Sequence, residues 1–187
     1  MTQALPPPLP PLVGITLGDP NGIGPELLAK LFAGGAHLAA CTPVAFGPAR
    51  ALPPDFAFVP IETPQQARAG RVHLIDTCLG YKGPTPGLPS AAGGRAALQA
   101  LQAAVGHWRS GRLAALLTLP IDKSSIYGAD FPFPGHTEYL AAAYGGPEPL
   151  MLMVLGGLRV AVATAHIPLR AVADALTPAL IEKKLSL

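Results

Sequence analysis

Leu12-Val13-Gly14-Ile15-Thr16-Leu17-Gly18-Asp19-Pro20-Asn21-Gly22-Ile23-Gly24-Pro25-Glu26-Leu27-Leu28-Ala29-Lys30 is the stretch that decides the fold. Leu12–Leu17 is a short apolar run of strand length. Gly18 to Gly24 is a loop by composition. Pro25 suits the first turn of a helix, where its missing N–H is not needed. The helix predicted over Pro25–Ala33 then stops at Gly34-Gly35. A strand feeding a helix through a glycine-rich turn is the opening unit of an α/β fold. The glycines at 18, 22 and 24 do not make a G-x-G-x-x-G dinucleotide fingerprint. The loop reads either as a tight turn or as a close backbone approach to an anionic ligand at a helix N-terminus. Asp19 lies in it, and Glu26 suits the helix dipole.

The pattern continues outward from this unit. Strands are predicted at Pro43–Phe46, Phe56–Ile61 and Arg71–Asp76. Tyr81 to Pro89 is a Gly/Pro-rich loop, and Ser90 is placed to cap a helix running to about Trp108 and ended by Gly111. Leu113–Leu119 is a continuous apolar run, which predicts a central strand buried on both faces. A helix is expected from His136 to about Tyr144. Leu150–Leu155 and Leu158–Thr164 flank Gly156-Gly157, a hairpin signal. Pro168 opens a short helix, and Thr177-Pro178 starts another. Upstream, Pro6-Pro7-Pro8 and Pro10-Pro11 read as a flexible leader over residues 1–11, with a polyproline ligand as the alternative. Domains are expected at 12–130 and 131–187. The second ends inside an apolar helical pattern, so the chain is expected to be incomplete.

Composition narrows the function classes. Half of the 187 residues are hydrophobic, 13% are charged and the net charge is only +2, so neither nucleic acid nor an anionic membrane is an expected partner. The apolar excess predicts a large core or a covered interface. Cys41 and Cys78 form no framework or CxxC site and read as buried, reduced thiols. No segment reads as a membrane span or signal peptide, so the expected location is the cytoplasm.

Four polar positions stand at element ends. Lys123 follows the apolar strand in Thr118-Leu119-Pro120-Ile121-Asp122-Lys123 and could meet a phosphate or remain solvated. His136 and Thr137 enter a helix behind Pro134-Gly135, where imidazole, hydroxyl and free amides can bind an anion, or Thr137 can serve only as an N-cap. His166, after the strand Leu158–Ala165, can be a metal ligand, a base or a structural residue.

Together the segments ITLGDPNGIGPELLAK (15–30), LLTLPIDK (116–123), FPGHTEYLA (133–141) and VATAHIPLRAVADALTP (162–178) resemble 4-hydroxythreonine-4-phosphate dehydrogenase, the NAD-dependent family of vitamin B6 synthesis. Leu119 departs from the Gly that many members carry. The resemblance implies an α/β/α three-layer fold of the isocitrate/isopropylmalate dehydrogenase type, with two subdomains and a cleft between them. It implies His136 and Thr137 as substrate-binding residues and His166 as the first of three metal histidines. Asp19 and Lys123 are expected near a ligand. It further implies NAD or NADP, a divalent zinc, magnesium or cobalt ion, a phosphorylated small-molecule substrate and a homodimer whose site borrows a ligand from the partner. The remaining ligands are expected beyond Leu187. Two alternatives are a paralogue acting on a four-carbon sugar-acid phosphate and a non-catalytic dimerising module.

Overall fold

The computed structural model describes residues 10–127, 131–145, 149–165 and 167–187. It divides into two compact units, 1–133 and 134–187.

The first unit is built on five parallel strands: β1 (Leu12–Thr16), β2 (Thr42–Gly47), β3 (Val59–Pro60), β4 (His73–Asp76) and β5 (Ala115–Thr118), in the order β3-β4-β2-β1-β5. Parallel neighbours need crossovers, and helices α1 (Gly24–Phe32) and α2 (Ala91–Arg109) supply them. Successive residues of β2 face opposite sides of the sheet. Ala45 joins Ile15, Leu17 and Leu74 under Leu28 and Phe32 of α1. Val44 and Phe46 pack on the other side with Ala100 and Ala104 of α2 and with Leu113. The sheet is therefore covered on both faces, in three layers. Gly14 helps the second face to close, since a Cβ there would lie 2.7 Å from a Leu113 methyl and 2.8 Å from one of Leu116.

Most predicted elements form, with three corrections in this unit. The strand expected over Phe56–Ile61 is only β3. Its ladder bonds run from Val59 N to Val72 O and from Ile61 N to Leu74 O, while Pro60 between them has no N–H and suits an edge. Phe56 and Phe58 pack against the α1-side core without joining the ladder. The run Leu113–Leu119 is not a central strand among the described residues. β5 is the edge beside β1, and Leu117 is 41% exposed. Cys41 and Cys78 are free but half-buried rather than buried.

The second unit contains α4 (His136–Tyr144), the antiparallel hairpin β6 (Leu152–Leu155) and β7 (Leu158–Ala161), α5 (Val172–Ala175) and α6 (Pro178–Leu185). The short α3 (Lys123–Tyr127) belongs to the first unit. Gly156 turns the hairpin at φ 54°. The Thr177 hydroxyl accepts the Leu180 amide at 3.2 Å and caps α6. The β7 ladder ends at Ala161, short of the predicted Thr164, although Val162 N still reaches Met151 O at 3.1 Å. No described residue of this unit is buried.

Candidate active site

β1 continues into β2 on one side of itself and has β5 on the other. The strand order thus reverses between β1 and β5. Loops leaving neighbouring parallel strands in opposite directions open a crevice at their carboxyl ends, where such sheets bind ligands. The Gly18–Gly24 loop and the Pro120–Lys123 loop both leave from that edge. They touch directly: Asp19 N donates to Pro120 O at 3.0 Å. Gly18 sits at φ +69°, and a Cβ on it would collide with the carbonyl of Pro120, so glycine is required there.

Asp19 is 3% exposed. Its Oδ1 accepts the Asn21 amide at 2.8 Å. Burial pushes its carboxyl above the ordinary range, opposed by the Asn21 amide; the nearby Asp122 carboxylate adds to the rise, opposed by the Ser125 hydroxyl. Asp122 itself is held low, chiefly by the Ser124 hydroxyl and then by the Ser125 amide. These bonds organise the first turn of α3. Lys123 is the first residue of that helix and is exposed.

Asn21 carries the longest-range bonds of the loop. Its Nδ2 donates to Leu88 O and Ser90 Oγ, both at 2.9 Å. Its Oδ1 accepts from the Tyr81 hydroxyl at 3.1 Å and from Thr85 N at 2.8 Å. Its carbonyl accepts from Gly87 N at 2.8 Å. Ser90 in turn caps α2 by accepting Gly93 N at 3.0 Å, as predicted, and donates its own amide to Ser125 Oγ at 3.2 Å. Asn21, Tyr81 and Ser125 were not singled out by the sequence, and Ser90 only as a helix cap. An Asn after Pro20 signals a turn, but its partners in the 81–90 segment lie 60 or more residues away.

His136 and Thr137 lie in the second unit, so the structure groups the candidates as Asp19 with Lys123 and His136 with Thr137. Gly135 stands at the N-cap of α4 in extended backbone, without a side-chain cap bond. His136 is the first helical residue and Thr137 the second, so Thr137 is an exposed first-turn residue and not the cap. Burial pushes the His136 imidazole down, toward the neutral form. Its Nε2 is buried with no hydrogen-bond partner among the described residues. Such an orphan costs roughly 1–3 kcal/mol until something bonds to it. His166 lies outside the described residues. Among the described residues no three His, Cys, Asp or Glu side chains converge as a metal site, so no metal cage is built from them alone. No described helix is long and apolar enough to cross a membrane.

Comparison with known proteins completes the picture. The family model described as "Pyridoxal phosphate biosynthetic protein PdxA" matches residues 39–187. A 4-hydroxythreonine-4-phosphate dehydrogenase of Thioalkalivibrio sulfidiphilus is 41% identical over 181 residues, covering 92% of this chain and 54% of the relative. A D-threonate 4-phosphate dehydrogenase of Cupriavidus necator is 35% identical, covering 92% of this chain and 55% of the relative. The crystal structure of a 4-hydroxythreonine-4-phosphate dehydrogenase from Klebsiella pneumoniae superposes with a TM-score of 0.85 at 30% identity, over 97% of this chain and 58% of that one. The chain spans about half the length of the curated relatives it matches. Its motifs, its parallel three-layer sheet and the match over residues 39–187 agree, and the chain belongs to the pyridoxal phosphate biosynthetic protein PdxA family.

Proposed function

We propose that the protein oxidises the secondary alcohol of 4-phosphooxy-L-threonine with NAD or NADP, and that the product decarboxylates to 3-amino-2-oxopropyl phosphate. The observation that carries this reading is the family match over residues 39–187, which takes in Lys123, His136, Thr137 and His166. In the redox step the alcohol carbon gives up its hydrogen as hydride and the hydroxyl its proton, leaving a ketone. The ketone lies β to the carboxylate. The pair from the breaking C–C bond therefore enters an enolate as CO₂ departs, and a proton then returns to carbon. When bound, the nicotinamide supplies the hydride acceptor and a divalent ion (zinc, magnesium or cobalt) supplies positive charge for the developing oxyanion.

The chain's own residues have binding roles in this scheme. His136 offers an unpartnered Nε2 at the start of the nine-residue α4, beside the Thr137 hydroxyl and the free first-turn amides. That combination suits an anionic substrate group. Lys123 and Asp19 line the strand ends near the ligand, and His166 serves as one metal ligand. A cytoplasmic homodimer completing each site across its interface, and a division of labour between 12–130 and 131–187, belong to the same proposal.

The 35% identity to a D-threonate 4-phosphate dehydrogenase favours one second reading, oxidation of a four-carbon sugar-acid phosphate. Initial rates with both substrates separate the two. Turnover of 4-phosphooxy-L-threonine with release of CO₂ is expected, and turnover of D-threonate 4-phosphate alone would overturn the first reading. In the full-length form, His166→Ala should lower bound metal and turnover together; stoichiometric metal in that variant removes His166 from the ligand set.

A further inference from the structure

A second concavity lies in the first unit, joined to the Gly18–Gly24 loop by the bond of its wall residue Tyr81 to Asn21. It has a volume of about 590 Å³ and lies between the chain that leaves β4 and one stripe of α2. A space of this size is ordinary for a small-molecule site. Its walls include Thr77, Cys78 and Lys82 from the β4 side and Ala92, Arg95 and Gln99 from α2. The three α2 residues are spaced i, i+3, i+7 and so share one helix face.

Four properties of these walls point to an anionic ligand. Lys82 and Arg95 bring two positive charges, and no carboxylate is among the lining residues. The carboxylate adjoining in sequence, Asp76, already accepts the amides of Ala49 at 3.1 Å and Cys78 at 2.9 Å. Beneath the wall, the Thr77 hydroxyl oxygen is buried with no hydrogen-bond partner among the described residues. Ala92 lies in the first turn of the 19-residue α2, where backbone N–H groups lack helical partners; Ser90 takes those of Gly93 and Gly94, through its hydroxyl and its carbonyl. A guanidinium fork, an ammonium and free first-turn amides together match the several oxygens of a phosphate better than the two of a carboxylate.

We infer that the pocket between Thr77–Lys82 and the Ala92–Gln99 stripe of α2 binds the phosphate of a small phosphorylated ligand. The inference rests on first-unit residues alone and does not depend on the proposed reaction. Two sources share this chemistry: free phosphate or pyrophosphate, and the phosphates of a nicotinamide dinucleotide.

Cys78 in the pocket wall provides a local readout, with Cys41 elsewhere as the internal control. The rate of alkylation at each thiol would be followed by mass spectrometry with pyrophosphate, NAD or NADP added. At about ten times its dissociation constant, a bound probe should slow alkylation of Cys78 about tenfold and leave Cys41 unchanged. The doubly substituted K82Q/R95Q protein should lose that protection. Both positions are exposed, and Lys82→Gln alone repeats the test should the double variant fold poorly. Protection by pyrophosphate as well as dinucleotide assigns a general phosphate site, and protection by dinucleotide alone assigns a cofactor site. Unchanged Cys78 reactivity with every probe, or protection that persists in the variants, overturns the inference.

Discussion

Asp19 is a buried carboxyl set close to a second carboxylate, Asp122. Its raised pKa has a definite sign in a stability measurement. Above the ordinary carboxylate value of about 3.9 the unfolded chain has released this proton while the folded chain still holds it. Stability therefore falls as pH rises through the interval up to the raised value, and levels off above it. Asp19→Asn keeps an oxygen that can accept the Asn21 amide and removes the charge. The denaturant midpoint of this variant at neutral pH is expected to equal or exceed that of the wild type, without the decline between pH about 4 and the raised value. A lower midpoint at neutral pH would show that the charge stabilises the loop. His136 shows why residue chemistry was only partly legible. The helix start at that position follows from Pro134-Gly135 and local spacing. The buried, unpartnered Nε2 depends on what surrounds the ring, which spacing does not reveal.

Elements with local signals were the legible ones. The strand at Leu12, the helix entered at Pro25, the cap at Ser90 and the two-glycine hairpin all depend on residues within a few positions of each other. Sheet order is not local. An apolar run such as Leu113–Leu119 has the composition of a buried strand, yet it lies at the edge of the described sheet. The contact of α2 with α3 is equally non-local and gives a sharp prediction. A Cβ on Gly94 would run into the carbonyl of Ser125, which is main chain and has little freedom to yield. Gly94→Ala should therefore destabilise the first unit by roughly 1–3 kcal/mol even though alanine is the better helix former. Thermal unfolding checks it, and an unchanged Tm would mean that the two helices separate readily.

At the scale of the whole molecule the two units differ in how much they bury. The first encloses Phe46, Ile15, Leu17, Leu28 and Leu74 almost completely. The second buries none of its described residues, and Met153, Val154 and Leu155 of its hairpin are each more than half exposed. Free energies of local opening follow buried apolar contact. Amides of β1, β2 and β4 are expected to exchange about 100-fold or more slowly than those of β6 and β7. Hydrogen-exchange mass spectrometry resolves the two regions, and equal protection would indicate a single cooperative unit. The apolar excess in the composition foresaw a core or a covered surface without saying which. The structure shows both a packed core in the first unit and exposed apolar side chains on the second.

The bonds of Asn21 have one more consequence. Of its contacts with the 81–90 segment, those to Thr85, Gly87 and Leu88 are to main-chain atoms, and only those to Tyr81 and Ser90 involve side chains. A side chain that grips backbone is indifferent to what the gripped residues carry. Thr85 and Leu88 can therefore be exchanged while the path of the loop stays the same. Exchange at those positions changes what the loop presents without changing how the loop is held.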